Sequence, residues 1–322
     1  MRRLLWCLLA MSSAAHAANY TAAPGPQHVA SVYYTWTDAI RHREVPVKVY
    51  YPREGAGPFP VIIFSHGLGG TRDGYAYLGQ HWASYGFVVV HVQHLGSDDA
   101  VWRGKAAPLA AMRAAAADLR NALDRPKDIS FVIDQLTKMN TSDTPLKGRL
   151  DLGHIGVGGH SFGGYTVLAV SGEQFITRLG QAFTLADRRV TAAIAMSAPA
   201  PKEGTDLDRA FAKITIPVLH MTGTEDNSPI GLTTAIDRRL AFDHSSHADR
   251  YLVTFTGADH MLFSGRLRPA SRDSQQQALI LQCTTAFWDA TLRADSAAMA
   301  CLTHDFHVLL GKDGVWEMKT AK

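Results

Sequence analysis

The sequence predicts an α/β fold: a mostly parallel central sheet with an antiparallel start and helices on both faces. Three observations carry this. Short apolar runs such as PVIIFS (60–65) and FVVVHVQH (87–94) are continuous and rich in Val and Ile, as strands covered on both faces are. Stretches with helical spacing separate these runs, which is the pattern of a parallel sheet with crossover helices. The first two runs instead follow one another directly, and alternate or carry β-branched and aromatic residues, as an antiparallel pair does.

In chain order, VASVYYTW (29–36) and VPVKVYYP (45–52) form that opening pair. A helix over 71–85 links the strands at 60–65 and 87–94. An alanine-rich helix is expected over 106–123. A second follows Pro126 over 127–138, where Ile129, Val132, Ile133 and Leu136 recur at helical spacing. HIGVGGH (154–160) is a strand, and a helix begins just past Ser161. VTAAIAMS (190–197), IPVLHMTG (216–223) and RYLVTFTG (250–257) continue the sheet, and a helix over 274–292 closes the set. HVLLGKDGVWEMK (307–319) reads as a small hairpin around Asp313-Gly314. The stretch 100–150 is longer than a simple crossover needs and is expected to cover part of the site.

The 322 residues are 46% hydrophobic and 19% charged, a globular composition with a substantial core. The formal charge of +3 gives no reason to expect nucleic acid or an acidic membrane as partner. Residues 1–17 read as a secretory signal peptide: two arginines, an apolar run too short to span a bilayer, and Ala15-His16-Ala17 as cleavage site. The expected mature chain is a single domain over 18–322, secreted or periplasmic, with no stable membrane insertion. Cleavage would remove Cys7 and leave Cys283 and Cys301, either as one disulfide or as two separate buried thiols.

The chemistry centres on GVGGHSFGGY (156–165). G-x-S-x-G alone is weak; here a strand precedes it and a helix follows, the context a nucleophile elbow requires. The turn strains Ser161 and projects its side chain outward, while Gly159 and Gly163 let strand and helix approach closely. No phosphate-loop or dinucleotide fingerprint competes. A serine hydroxyl needs a base, an acid to orient that base, and donors for the oxyanion. Asp226 follows the strand at 216–223 and is the expected acid, with Glu225 its rival. His260 follows the strand at 250–257 and is the expected base. The order Ser, Asp, His is that of the α/β-hydrolase arrangement. HGLGG (66–70) ends an early strand, so the Leu68 and Phe162 amides are the expected oxyanion donors.

His66, Gly67, His94 and His160 complete the expected substrate side. His66 and Gly67 shape the turn. His66 and His160 are expected to act through packing and hydrogen bonds rather than in the chemistry. His94 ends a strand on the side where such sheets bind ligands, and is expected to line the pocket. The pairs His91/His94 and His244/His247 lack any zinc pattern, so neither a metal nor a cofactor is expected.

Together FSHGLGGTRDGYAYLGQHWASYGFVVVHVQHLGSD, RPKDISFVIDQL, GVGGHSFGG, IPVLHMTGTEDNSP and FTGADHMLFSG resemble the α/β-hydrolase superfamily. More narrowly, the chain is similar to the predicted dienelactone hydrolases and platelet-activating-factor acetylhydrolase-like esterases. The resemblance implies Ser161 as nucleophile, Asp226 as acid, His260 as base, and no cofactor. Two departures stand out. Dienelactone hydrolases proper use cysteine where this chain has Ser161. The eukaryotic acetylhydrolases carry their acid after the strand that follows the nucleophile helix, where AMSAPAP here offers Ser197. Polyester and cutinase-like hydrolases share the G-H-S-x-G elbow, which keeps an aromatic diester or polyester fragment in view as substrate. The reading is an exported serine hydrolase of small-molecule carboxylic esters. An amidase or peptidase on the same triad, or a non-catalytic binding protein of this fold, are its alternatives.

Overall fold

The computed structural model describes residues 20–321 apart from 178, 232 and 269–271, so the expected signal peptide lies outside the described residues. Its strands run β1 (Val29–Asp38), β2 (Arg43–Pro52), β3 (Phe59–Ser65), β4 (Val88–Val92), β5 (Leu150–His160), β6 (Gln174–Ile176), β7 (Ala182–Thr184), β8 (Val190–Met196), β9 (Val218–Glu225), β10 (Arg250–Asp259) and β11 (Gly314–Lys319). The longer helices are α1 (Ala76–Ser84), α2 (Pro108–Ala117), α3 (Leu119–Thr141), α4 (Phe162–Ser171) and α5 (Asp273–Leu292).

Nine strands form one sheet in the order β1-β2-β4-β3-β5-β8-β9-β10-β11. From β4 to β10 every neighbouring pair is parallel. The edges β1–β2, β2–β4 and β10–β11 are antiparallel, so the predicted opening pair is present. This is the α/β-hydrolase fold. The period-2 logic of a covered strand is visible in β3. Ile62 and Phe64 join Leu78 and Trp82 of α1 and Phe287 and Trp288 of α5 on one face. Val61 and Ile63 join Ile129, Val132 and Ile133 of α3 and Val167 of α4 on the other.

Several element boundaries differ from expectation, each for a local reason. The helix expected over 71–85 starts only at Ala76, because Tyr75 sits in the left-handed region at φ 60°. The break expected near Pro126 falls instead at Asp118, whose carboxylate accepts the Arg120 N–H at 2.9 Å and starts α3. Asn121 Nδ2 donates to the Ala115 carbonyl, satisfying the end of α2. Pro126 then lies inside α3. It offers no N–H to the Ala122 carbonyl, and that carbonyl accepts the Tyr165 hydroxyl at 3.1 Å instead. The neighbouring helix therefore repairs the defect.

The expected C-terminal hairpin is absent. Phe306 and Leu310, one helical turn apart, are both buried, and 306–310 form a short helix. β11 then adds antiparallel to the open edge of β10, where Trp316 stacks on Tyr251. Cys283 and Cys301 are separate buried thiols, so the disulfide alternative does not hold. Burial pushes both thiols up, Cys301 to about 11.

Candidate active site

The carboxyl ends of the parallel strands all face one side of the sheet, and the loops leaving β3, β5, β8, β9 and β10 meet there. Ser161 follows β5 directly. Its backbone, at φ 57° and ψ −119°, is a conformation non-glycine residues rarely adopt. Two bonds hold it: Ser161 N–H donates to the Met196 carbonyl at 2.9 Å, and Tyr165 N–H donates to the Ser161 carbonyl at 3.1 Å. A side chain at Gly163 would overlap the Ser65 carbonyl, and one at Gly159 would meet the Gly163 carbonyl. The two glycines thus bring the helix start against β3.

Three predicted residues come together. Ser161 Oγ lies 2.9 Å from His260 Nε2, and His260 Nδ1 lies 2.7 Å from Asp226 Oδ1. The carboxylate accepts, so Nδ1 carries the proton and Nε2 accepts the serine hydroxyl. The rival Glu225 is exposed, whereas Asp226 is fully buried. Ser197, at the end of β8, donates to Asp226 Oδ2 at 2.6 Å, and Thr222 donates to the same oxygen at 2.8 Å. Burial works to raise this carboxyl. The bonds from His260 and Ser197 and the charge of Arg238 outweigh it and hold it below its ordinary value.

Arg238 is a residue the sequence reading missed. It is buried, donates through Nη1 to the Ser197 carbonyl at 2.7 Å and through Nε to the Asp226 carbonyl at 3.2 Å. Its Nε also lies 3.4 Å from Asp226 Oδ1. It therefore balances the Asp226 carboxylate and pins the loops after β8 and β9 together.

The turn after β3 is just as tightly held. His66 Nδ1 donates to the Gly67 carbonyl at 2.6 Å, and His66 Nε2 accepts the His94 N–H at 3.1 Å. A trans peptide points its C=O and N–H in opposite directions. Holding the Gly67 carbonyl toward His66 therefore aims the Leu68 N–H the other way. Gly67 itself lies beside Ser161: a Cβ there would be 3.3 Å from Ser161 Cβ. Among the described residues, neither the Leu68 nor the Phe162 N–H has a hydrogen-bond partner in the protein. Burial and the Arg125 charge keep His66 neutral, well below the usual histidine range.

Arg125 was also not singled out by sequence. It is fully buried on α3 and lies over the Phe162 ring, 4.6 Å from its centre. It donates to the hydroxyls of Ser65, Ser97 and Thr166 and to the His66 carbonyl. One cation thus contacts the β3 turn, the Ser97 turn and α4. On the solvent side, Trp102 Nε1 donates to the Gly69 carbonyl at 2.8 Å, so the segment just past residue 100 rests on the turn. Met112 of α2 approaches the same turn, its Cε 3.4 Å from where a Cβ on Gly69 would sit, while α3 packs on the sheet.

His94 does not line a pocket. It is fully buried, with Nδ1 2.9 Å from Asp128 Oδ2 and Nε2 3.0 Å from Ser65 Oγ. The polar groups of α3 draw it beneath the sheet end instead of toward solvent. His66 and His160 are buried as well, at 1% and 3% exposure, so they form the floor of the site and not a substrate wall. His91 engages the Gly74 carbonyl and shares no ligand position with His94.

The fold is that of the α/β-hydrolases. Within that class the chain is similar to acetylhydrolases and cutinases. A family model described as platelet-activating factor acetylhydrolase, isoform II, matches residues 29–105. A platelet-activating factor acetylhydrolase from Cavia porcellus is 31% identical over 166 residues, 42% of this chain and 37% of the relative. Cutinase est2 from Thermobifida alba is 24% identical over 216 residues, 66% of this chain and 56% of the relative. The acetylhydrolase from Canis lupus familiaris is 25% identical over 235 residues, 64% of this chain and 48% of the relative. The chain thus spans between about a third and just over half of these relatives' length.

Proposed function

We propose that the protein is a serine hydrolase that cleaves carboxylic esters. The observation that carries the reading is the unbroken chain from Ser161 Oγ through His260 to Asp226. Ser161 Oγ attacks the ester carbonyl carbon while His260 Nε2 takes its proton. Asp226 fixes the imidazole tautomer and stabilises the imidazolium that forms. The Leu68 and Phe162 amides receive the negative oxygen of the tetrahedral intermediate. His260 then protonates the departing alcohol, leaving an acyl group on Ser161. Water, deprotonated by His260, attacks that acyl group and releases the acid and the free serine.

Both sets of relatives support an ester substrate, by name acetylhydrolases and cutinases. The leader-like 1–17 stretch supports action outside the cytoplasm. Substrates fitting both sets are small esters, extending to aromatic diesters and polyester fragments. Among the described residues no helix is long and apolar enough to cross a membrane. The test is a panel of p-nitrophenyl esters of graded acyl length, run on wild type and Ser161→Ala. Turnover and fluorophosphonate labelling are expected in wild type and lost in the variant. Retained turnover in Ser161→Ala overturns the assignment. Matched anilides separate an ester hydrolase from an amidase, and a protein that never labels is a binding module.

A further inference from the structure

Tyr75 is joined to both halves of the site. Its hydroxyl accepts the Gly67 N–H at 3.3 Å and lies 2.8 Å from His160 Nδ1. His160 Nε2 lies 2.9 Å from the His260 carbonyl. A carbonyl only accepts, so Nε2 carries the proton and Nδ1 must accept. The direction of every bond follows: Gly67 N–H to Tyr75, Tyr75 O–H to His160, His160 N–H to the His260 carbonyl. This is one chain of donors from the turn after β3 to the loop that carries the base.

We propose that Tyr75 is a positioning residue that sets the oxyanion turn relative to the catalytic histidine. The inference rests on the serine hydrolase reading and adds to it how two separate loops are held in register. Gly67 precedes Leu68, the expected donor, and its own carbonyl is already fixed by His66. The Tyr75 bond fixes the peptide on the other side, so Gly67 is clamped at both ends. His160 is the residue before Ser161, so the chain passes directly beneath the nucleophile. Tilted ring contacts hold it in place: the Tyr75 ring lies 4.8 Å from the Phe64 ring, and the His160 ring lies 4.7 Å from that of His260. Burial and the nearby His260 hold His160 neutral, so its tautomer does not change across working pH.

The left-handed backbone of Tyr75 fits this role. At φ 60° and ψ 23° it ends the turn and caps α1 without a side-chain cap bond, which leaves its hydroxyl free to reach inward. A tyrosine held in that conformation is costly, and a residue serving only to start a helix would not need it.

The test is Tyr75→Phe, which deletes one oxygen and keeps the ring. It leaves the Gly67 N–H without its acceptor. On p-nitrophenyl esters kcat per titrated active site is expected to fall about tenfold, with KM within about twofold, because the oxyanion forms only past the ground state. Inactivation by a fluorophosphonate should slow by a similar factor. A purely structural role would lower the melting temperature and leave kcat per titrated site unchanged, and that result overturns the proposal. So does a change confined to KM. Partial unfolding cannot mimic the effect, since rates are taken per titrated site. An inactive, unlabelled wild type overturns the nucleophile assignment and this proposal with it. An active wild type with an unaffected Tyr75→Phe overturns the proposal alone.

Discussion

Ser65, His94 and Asp128 repeat the hydrogen-bond chain of Ser161, His260 and Asp226. In the first, serine to Nε2 is 3.0 Å and Nδ1 to carboxylate is 2.9 Å; in the second the distances are 2.9 Å and 2.7 Å. Both serines end a strand of the same sheet or directly follow one. What differs is everything around the chain. Ser65 lies in β3, is fully buried and accepts a bond from Arg125. Ser161 sits on a strained turn, half-buried, near the Leu68 and Phe162 amides, which have no protein partner among the described residues. Burial and Arg125 hold His94 down at about 4, a poor base at neutral pH. The contrast teaches that three residue types in the right order of contact do not make a reactive serine. What sets Ser161 apart from Ser65 is its strained turn and its partial exposure, and on the proposed reading these are what a nucleophile needs beyond the hydrogen-bond chain.

The largest expected difference is between the two serines. Ser161→Ala should lower ester turnover by up to about a million-fold and leave the fold intact. Ser65→Ala should keep turnover per titrated site within about tenfold, yet cost about 1–3 kcal/mol of stability, since Arg125 and His94 lose a buried partner. Paired rate and urea-denaturation measurements read both. A Ser65→Ala protein as inactive as Ser161→Ala would break the comparison.

The two carboxylates sharpen it. Asp226→Asn should preserve the fold and lower kcat on the order of 10⁴-fold, because the amide no longer fixes the His260 tautomer. Asp128 instead holds Arg41 at 2.7 Å, Arg43 at 2.9 Å and His94. Asp128→Asn leaves Arg41 and Arg43 short of a buried counter-charge and should cost about 3–5 kcal/mol. Its expected signature is a lower denaturation midpoint with nearly normal turnover in the molecules that remain folded. Equal losses of kcat in the two variants would mean that the buried chain also takes part in the chemistry.

Much of the proposed site is legible in sequence because each part is local. Ser161 announces itself through the strand, glycines and helix around it, and Asp226 and His260 through their places after strands. The same strand patterns place the sheet. What stays hidden depends on contacts made across the fold. Nothing near Tyr75 shows that its hydroxyl reaches a histidine 85 residues on. Arg125 and Arg238 look like solvated helix charges until the sheet brings acceptors to them. His94 misleads for the same reason: its position after β4 suits a pocket residue, but Asp128 on α3 claims it. Pro126 is the equivalent case in the fold, a helix breaker whose stranded carbonyl is met by Tyr165 from another helix.

The smallest expected effect is a dependence of stability on pH that the buried chain contributes. In the unfolded chain His94 gains a proton as pH falls through about 6.5. In the folded protein burial delays this to about 4. Between those values the unfolded state binds more protons, so folding loses stability as pH drops. Asp128 extends the loss. Burial alone would raise it, but His94 and Arg43 hold it at about 2, so its contribution is present above about pH 4 and is lost as pH falls toward 2. His66 and His160 are also buried and neutral, and add losses of the same sign. Comparing wild type with His94→Gln isolates one share, because glutamine does not titrate and can serve both neighbours. Between pH 7 and 5 the urea midpoint of wild type should fall more than that of the variant, by about 1–2 kcal/mol once multiplied by a common m-value. Parallel curves would show that His94 protonates freely in the folded state, and the buried chain would then be as open to solvent as the one at Ser161.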